Sequence, residues 1–443
     1  MSAPQFRVTT VELLERDVHL RTPFRFGVVT LTGTPQAFVR CRIRIGDGKE
    51  AEGAAAELLA PKWFDKNPAL SNEDNVEQLR GSLRTARSSY LARGVATAWQ
   101  HSSPAKGLVE NYGPALLDRA ILDALCRAYA ASFYDAITSN LVGAGDIDGI
   151  NLGAFFSILQ PSKTIAARHT VGLVDPITAA QQKVRVDDGL PETLEEVVAR
   201  YGQRYFKLKV AGDAKADLER LAEIAAVLDR IPNTYYATLD GNEQYDDMAG
   251  VAELWRRMKA DARLARLVAS VLFVEQPVKR DRAFERPVEG IDKPVIIDES
   301  DDSLDAFPQA KALGYSGVSS KTCKGIYKSL INRARCAAWG KGFFMSGEDL
   351  TVQAGIALQQ DLALVSLLGL SHVERNGHHY VNGMADLPPR EQEAFLAGHS
   401  DLYERSSSAV RVKITNGGLA IGSLACAGYA SAAMPDWRSM RQL

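Results

Sequence analysis

Three acidic residues, Asp240, Glu275 and Asp298, each follow a short apolar run and begin the tripeptides DGN, EQP and DES. Three unpaired carboxylates within a few ångströms of one another would repel and raise each other's pKa. A divalent cation removes that repulsion, and all-oxygen ligation favours Mg²⁺, or Mn²⁺, over zinc. The three acids together predict a metal site, although any one of them alone is more typical of a helix N-cap or a solvated loop.

Three lysines are candidates for acid–base chemistry beside this site. Lys207 and Lys209 alternate with apolar residues in YFKLKV, and Lys321 ends the stretch YSGVSSK. An unpaired buried charge costs several kcal/mol, so lysines in a covered strand must face a polar site; the alternative is a sheet edge with solvated lysines. Two lysines on opposite sides of one carbon could remove a proton and deliver another. Neighbouring cations would lower the lysine pKa toward ~7–8, where such catalysis is efficient.

Eight short apolar stretches carry these residues and alternate with helical stretches after about residue 148. They begin at His169, Arg204, Tyr235, Ser270, Pro294, Tyr315, Gly342 and Leu370. Their starts lie 21 to 35 residues apart, which leaves room for a crossover helix each time. This rhythm predicts an α/β fold, a (β/α)8 barrel with its catalytic groups at the carboxyl ends of the strands, where strands two and six lie roughly opposite. An open doubly wound sheet is the alternative, but no GxGxxG follows the first strand, and eight units exceed the usual six.

The rest of the chain predicts a second folding unit. Residues 1–150 are expected to form an α+β domain, residues 151–390 the barrel, and residues 391–443 a tail that returns to the first domain. In the first domain, QFRVTTVELLE and QAFVRCRIRI are typical of antiparallel strands, and RTPFRFGVVTLTGT between them is typical of an exposed loop. In the tail, VKITNGGLAI indicates a hairpin near Asn416-Gly417, and a closed barrel leaves no place for its strands.

Composition excludes several classes of protein. The 443 residues carry 52 basic and 54 acidic side chains, so there is no basic excess for nucleic acid. The longest strongly apolar stretch, Leu362 to Leu370, is too short to cross a bilayer, and no membrane partner is expected. Five scattered cysteines without a CxxC pair favour a reduced cytoplasmic protein.

The motifs KLK, DGN, EQP, DES and a lysine on the sixth strand, in this order, resemble the enolase superfamily, specifically the muconate-lactonizing-enzyme-like branch of the mandelate racemase family. The resemblance spans the whole chain. It implies a modified TIM barrel with an N-terminal α+β capping domain that the C-terminal tail completes. It also implies that the protein forms homo-oligomers and acts on a small-molecule carboxylate.

The resemblance assigns roles to individual residues. The magnesium ligands would be Asp240, Glu275 and Asp298. Asn242 would accompany Asp240 as an amide that does not itself bind the ion. Lys209 and Lys321 would be the acid–base pair, with the charge of Lys207 tuning Lys209. Substrate specificity would come from the cap and the seventh strand; the candidates are Phe24, Arg25 and Phe26 on a mobile loop, residues 53–63 on a second lid loop, and Glu348 at the substrate's far end.

Several readings of the function follow. The leading one is magnesium-dependent removal of the α-proton of a carboxylate by a racemase, epimerase or cycloisomerase, and a syn-dehydratase of the same superfamily is the alternative. A Schiff-base aldolase would form an imine with a lysine on the sixth strand and would need no metal. A third possibility is a non-catalytic barrel that serves as a binding or structural protein. His372, His378 and His379 could bind substrate or lie in surface loops. No His–Asp dyad is found at strands six and seven, which argues against the branches that use one.

Overall fold

The N-terminal part of the computed structural model is an antiparallel sheet covered by helices. The structure describes residues 3–46, 48–182, 184–350, 353–376 and 378–443. The strands and helices of this part are β1 (Phe6–Phe26), β2 (Val29–Ile45), β3 (Glu50–Leu58), α1 (Asn72–Ala92), α2 (Ala98–His101), α3 (Leu108–Ala128), α4 (Phe133–Thr138), β4 (Asp146–Ile147), β5 (Ile150–Asn151) and α5 (Leu152–Phe156). Helix α3 is buried along most of its length and packs between the sheet and the barrel.

The predicted exposed loop between the first two strands is wrong. β1 and β2 continue through it as one long hairpin, with Phe24 opposite Leu31 and Phe26 opposite Val29. Alternation along the strand buries both phenylalanines and leaves Arg25 exposed. Pro23 falls where the pairing of the two strands is interrupted, so its missing N–H breaks no ladder hydrogen bond.

The barrel is closed and holds all eight predicted strands. They are β6 (Thr164–Val171), β7 (Tyr205–Lys209), β8 (Tyr236–Asp240), β9 (Val271–Glu275), β10 (Val295–Ile297), β11 (Gly317–Ser320), β12 (Phe344–Gly347) and β13 (His372–Glu374). Each strand pairs in parallel with the next along the chain, and β13 pairs with β6 to close the ring. Because parallel strands end at the same rim, the predicted acids and lysines meet there.

Helices follow most of the barrel strands. They are α6 (Leu194–Tyr201), α7 (Ala214–Leu228), α8 (Met248–Ala260), α9 (Ala265–Ser270), α10 (Ala306–Ala312), α11 (Ile326–Trp339) and α12 (Ile356–Leu367). The fourth connection departs from the expected pattern: residues 276–294, all of which the structure describes, contain no helix. Pro277, Pro287 and Pro294 deny this segment three backbone donors, and Gly290 has φ +76°, so helix propagation is disfavoured there.

The C-terminal tail divides between the two units. Its elements are α13 (Pro389–Gly398), β14 (Tyr403–Ser406), β15 (Ala409–Val412), β16 (Gly418–Ala420) and β17 (Arg441–Gln442). β17 joins the edge of the N-terminal sheet beside β1, which confirms that the tail completes the cap. The tight turn at Asn416-Gly417 is present, with φ +49° and +74°. However, the strand after it pairs antiparallel with β6, so the expectation that no tail strand joins the barrel is wrong. The boundaries at residues 150 and 390 stay predictions. Within the described ranges, no helix has both the length and the apolar character of a membrane span.

Candidate active site

Lys207 lies at the centre of an acidic cluster at the carboxyl end of the barrel. Its Nζ is 2.7–3.0 Å from carboxylate oxygens of four residues. These are Asp240, Glu275, Glu348 and Glu374. The side chain is 1% exposed, and burial alone would lower its pKa; the surrounding carboxylates outweigh burial and raise the pKa well above its usual range. Lys207 is therefore a buried ammonium that partly neutralises this cluster.

Lys209 occupies the next position on the same side of β7 and binds two predicted site residues. Its Nζ donates to Asp240 Oδ2 at 2.6 Å and to Asn242 Oδ1 at 2.5 Å. The backbone N–H of Asn242 donates to Asp240 Oδ1 at 2.8 Å, and its amide Nδ2 donates to Glu299 Oε1 at 3.2 Å. Asn242 has φ +40°, in the left-handed region that asparagine tolerates better than most residues. The turn after β8 thus places Asn242 behind Asp240.

Lys321 lies directly after β11, and its ammonium contacts both the barrel and the cap. Its Nζ donates to Asp298 Oδ2 at 2.5 Å and lies 4.3 Å from the ring centroid of Trp63, a cation–π contact. Burial would lower its pKa, but Asp298 outweighs burial and the pKa is raised. The expected lowering of the lysine pKa is therefore not found for Lys321 while Asp298 is its partner.

The three predicted metal ligands lie at this rim, and their pKa values are shifted in different directions. Burial and the carboxylates of Asp240 and Glu348 raise the pKa of Glu275 well above its usual range. Against burial, Lys207 and Lys209 lower the pKa of Asp240, while Lys321 and Lys324 lower that of Asp298. The expected mutual rise in pKa is therefore seen in Glu275 and not in the two aspartates.

The donor set fits a hard cation, although its side chains are turned toward lysines. All three candidates offer carboxylate oxygens, and the buried Glu275 Oε2 accepts no hydrogen bond, although it lies 2.9 Å from Lys207 Nζ in an ion pair. As the side chains stand, no group of three or more acidic, histidine or cysteine residues in the described ranges could hold a metal ion. Metal binding would therefore require Lys209 and Lys321 to give up their ion pairs with Asp240 and Asp298, so that the carboxylate oxygens are free for the ion.

A small cavity lies between the cap and the lysines. Its volume is about 30 Å³, far below the roughly 300–1,000 Å³ of a ligand pocket, so the cavity must widen before a substrate can bind. The cap lines it with Phe24, Phe26, Leu31, Ala60 and Trp63, and the barrel with Lys207, Lys209, Asn242, Lys321, Asp349, Leu350 and Glu374. The structure thus brings Lys209 and Lys321 to one cavity, beneath an apolar roof.

The remaining candidates lie away from the cavity. Arg25 points away from it on the exposed side of the hairpin. Glu348 is fully buried and pairs with Arg168 and Lys207. It does not line the cavity; after β12, the lining residues are Asp349 and Leu350.

The three histidines are mostly buried, and each packs against a different aromatic or histidine ring. His372 stacks on Tyr205, His378 packs against Tyr201, and His379 packs against His169. The surface-loop alternative does not describe them. None of the three lines the cavity among the residues that the structure describes.

Two charged residues of the cluster were not predicted from the sequence. Glu374 ends the eighth strand, where its carboxylate accepts from Lys207 at 3.0 Å and from the Thr170 hydroxyl. Arg168 lies inside the first strand and contacts Glu348, Gly347 O and His372 Nδ1. Both could have been found by the criteria applied above, namely an acid at a strand end and a charge inside an apolar strand.

Comparison with known proteins agrees with this architecture. Residues 189–401 match the family model described as enolase C-terminal domain-like. No curated protein matches the chain. Among solved structures, 2-chloromuconate cycloisomerase from Rhodococcus opacus 1CP shares 18% identity at a TM-score of 0.65, covering 98% of each chain.

Two epimerases share the fold at similar distance. The substrate-liganded L-Ala-D/L-Glu epimerase from Bacillus subtilis is 15% identical with a TM-score of 0.62, covering 96% of this chain and 99% of its own. The dipeptide epimerase from Enterococcus faecalis V583, complexed with Mg and the dipeptide L-Leu-L-Tyr, is 15% identical with a TM-score of 0.59, covering 83% and 90%. At these identities the structures show a common fold, and the family assignment comes from the model match over the barrel. The match over residues 189–401 assigns the barrel to the enolase superfamily, in the mandelate racemase/muconate lactonizing enzyme family.

Proposed function

We propose that the protein is a magnesium-dependent isomerase, a racemase, epimerase or cycloisomerase of the muconate-lactonizing-enzyme-like subgroup, that removes the α-proton of a small carboxylate. The observation that carries the proposal is that Lys209 and Lys321 line one cavity while each contacts a different predicted metal ligand, Asp240 or Asp298. The epimerase and cycloisomerase among the structural relatives support an isomerase.

The ligands of the ion would be Asp240, Glu275 and Asp298. When bound, Mg²⁺, or Mn²⁺, supplies positive charge beside the substrate carboxylate, where negative charge develops as the proton leaves. The chain's own residues provide the proton transfer: one lysine, as the neutral amine, takes the proton from the α-carbon, and the other, as an ammonium, returns one to the opposite face. Lys207 would keep the cluster partly neutralised, and Asn242 would hold Asp240.

The apolar roof of the cavity supports the proposal that the substrate carries an apolar group. Phe24 and Phe26 reach it from the hairpin tip and Trp63 from the segment after β3, so these residues are proposed to contact the part of the substrate away from its carboxylate. The Schiff-base alternative is less well supported, because it needs no metal and gives no role to the three carboxylates of Asp240, Glu275 and Asp298.

Two further expectations stay proposals. The protein is proposed to act in the cytoplasm, and all five cysteines are free thiols, as a reducing compartment favours. It is also proposed to form a homo-oligomer, on the family resemblance alone.

Proton exchange in deuterium oxide tests the proposed function. We expect the purified protein to incorporate deuterium at the α-carbon of a carboxylate from a panel of dipeptides, N-acyl amino acids and sugar acids, measured by mass spectrometry. Removal of metal with EDTA should abolish the exchange, and added Mg²⁺ should restore it. Exchange that continues undiminished in EDTA would contradict the metal dependence, and borohydride trapping of a ketone on Lys321 would support the aldolase instead.

A further inference from the structure

The two oxygens of Asp298 are held by different partners. Oδ2 accepts from Lys321 at 2.5 Å, on the side of the cavity. Oδ1 accepts from the hydroxyl of Ser319, which lies on β11 two residues before Lys321, and Oδ1 is also 3.5 Å from Lys324 Nζ. The backbone N–H of Asp298 donates to Gln276 Oε1 at 2.8 Å, so its main chain is also fixed. One oxygen is thus turned to the cavity and the other to the wall of the barrel.

The direction of the Ser319 hydrogen bond follows from its second partner. Lys324 Nζ donates to Ser319 Oγ at 2.8 Å, and because a lysine ammonium has no acceptor, the serine oxygen must accept there. The single hydroxyl proton then remains for Asp298 Oδ1. Lys324 is itself fixed, since it is 1% exposed and its Nζ lies 3.0 Å from Asp301 Oδ2.

We propose that Ser319 is a positioning residue for the metal site, which it serves by fixing the rotation of the Asp298 carboxylate. The inference rests on the proposed function, because it assumes that Asp298 binds Mg²⁺. With Oδ1 engaged by the hydroxyl, Oδ2 is the oxygen available for the ion when Lys321 gives it up. Without the hydroxyl, the carboxylate is free to rotate, and ordering it again on metal binding costs free energy.

The neighbouring strand provides a matched control. Ser346 on β12 is the register partner of Ser319 on β11, and both side chains are buried. Each hydroxyl donates to a buried carboxylate at the carboxyl end of the barrel, Ser319 to Asp298 and Ser346 to Glu348. Only Asp298 is a predicted metal ligand, so the two serines differ in whether the carboxylate that they hold would bind the ion.

Titration calorimetry of the metal-free protein with MgCl₂ tests the proposal without measuring activity. Groups that hold a metal ligand in place typically contribute 10–100-fold to metal affinity, so we expect Ser319→Ala to bind Mg²⁺ about 10–100-fold more weakly than the wild type. Ser346→Ala should bind like the wild type, and so should Ser319→Thr, which keeps the hydroxyl. Thermal unfolding in EDTA should show both alanine variants folded.

The outcomes separate the two proposals. Wild-type protein that binds no Mg²⁺, or an Asp298→Asn variant that binds it normally, would overturn the metal site and with it the proposed function. If the wild type binds Mg²⁺ through Asp298 but Ser319→Ala binds equally well, the positioning role is overturned while the proposed function stands. Equal weakening in Ser346→Ala, or weakening in Ser319→Thr as large as in Ser319→Ala, would also overturn it.

Discussion

Lys209→Ala and Lys321→Ala are expected to lose α-proton exchange with opposite enantiomers of the same substrate. The two side chains enter one cavity from strands two and six of the barrel, so each is expected to face a different side of a carbon bound between them. Loss of a positioned acid or base typically costs about 10²–10⁴-fold in rate. Each variant should therefore exchange one enantiomer and leave the other nearly untouched, which proton NMR in deuterium oxide measures directly.

An exposed lysine at the rim serves as the control for these variants. Lys279 pairs with Asp246 and is half exposed, so Lys279→Ala should exchange both enantiomers like the wild type. Full exchange of both enantiomers by either site variant would remove that lysine from the mechanism. Equal and complete loss in both variants would instead favour the syn-dehydratase alternative, in which one lysine is the base and the other a cation beside the enolate.

Lys207→Met should sharply lower the free energy of unfolding of the metal-free protein. Its ammonium contacts four buried carboxylates, and removing one partner of a buried ion pair typically costs about 3–5 kcal/mol because the other charge stays uncompensated. Urea unfolding in EDTA, followed by circular dichroism, measures the loss. Added Mg²⁺ should recover part of it, because the ion brings positive charge to the same carboxylates.

Lys259 offers the comparison for this second prediction. It forms an exposed ion pair with Asp292 at 3.0 Å, and such surface pairs contribute about 0–1 kcal/mol. Lys259→Met should therefore unfold at nearly the wild-type urea concentration. A Lys207→Met variant as stable as this control would show that the acidic cluster does not depend on the lysine, and that the carboxylates are neutralised by protons instead.

The barrel, and the meeting of the candidate residues at one rim, were largely predictable from the sequence, because the carboxyl ends of parallel strands lie together. Each of Asp240, Glu275 and Asp298 follows an apolar stretch, and closure of the barrel brings such ends together whatever the loops do. Glu374 follows the same rule at the end of the eighth predicted strand, but no motif of the resemblance includes it. The partners of each side chain were not predictable, since Lys207 lies among four carboxylates contributed by four other strands or loops.

The cap was harder to predict because its contacts are long-range. The segment around Phe24 contains Gly, Pro and Thr, which indicate a loop, yet pairing with residues 29–31 and burial of two phenylalanines make it a strand. Trp63 contacts Lys321 across more than 250 residues of sequence, and no local pattern reveals that contact. The helix-free connection after β9 had the length of a helical one, and only its prolines indicated otherwise.

A crystal structure of the protein grown with Mg²⁺ tests the central claim most directly. We predict one ion at the carboxyl end of the barrel, with one oxygen each of Asp240, Glu275 and Asp298 at about 2.0–2.1 Å and with Glu299 outside the coordination sphere. Lys209 and Lys321 should then have turned from Asp240 and Asp298 toward the cavity. An ion bound elsewhere, or three carboxylates that keep their lysine partners at saturating Mg²⁺, would contradict the account.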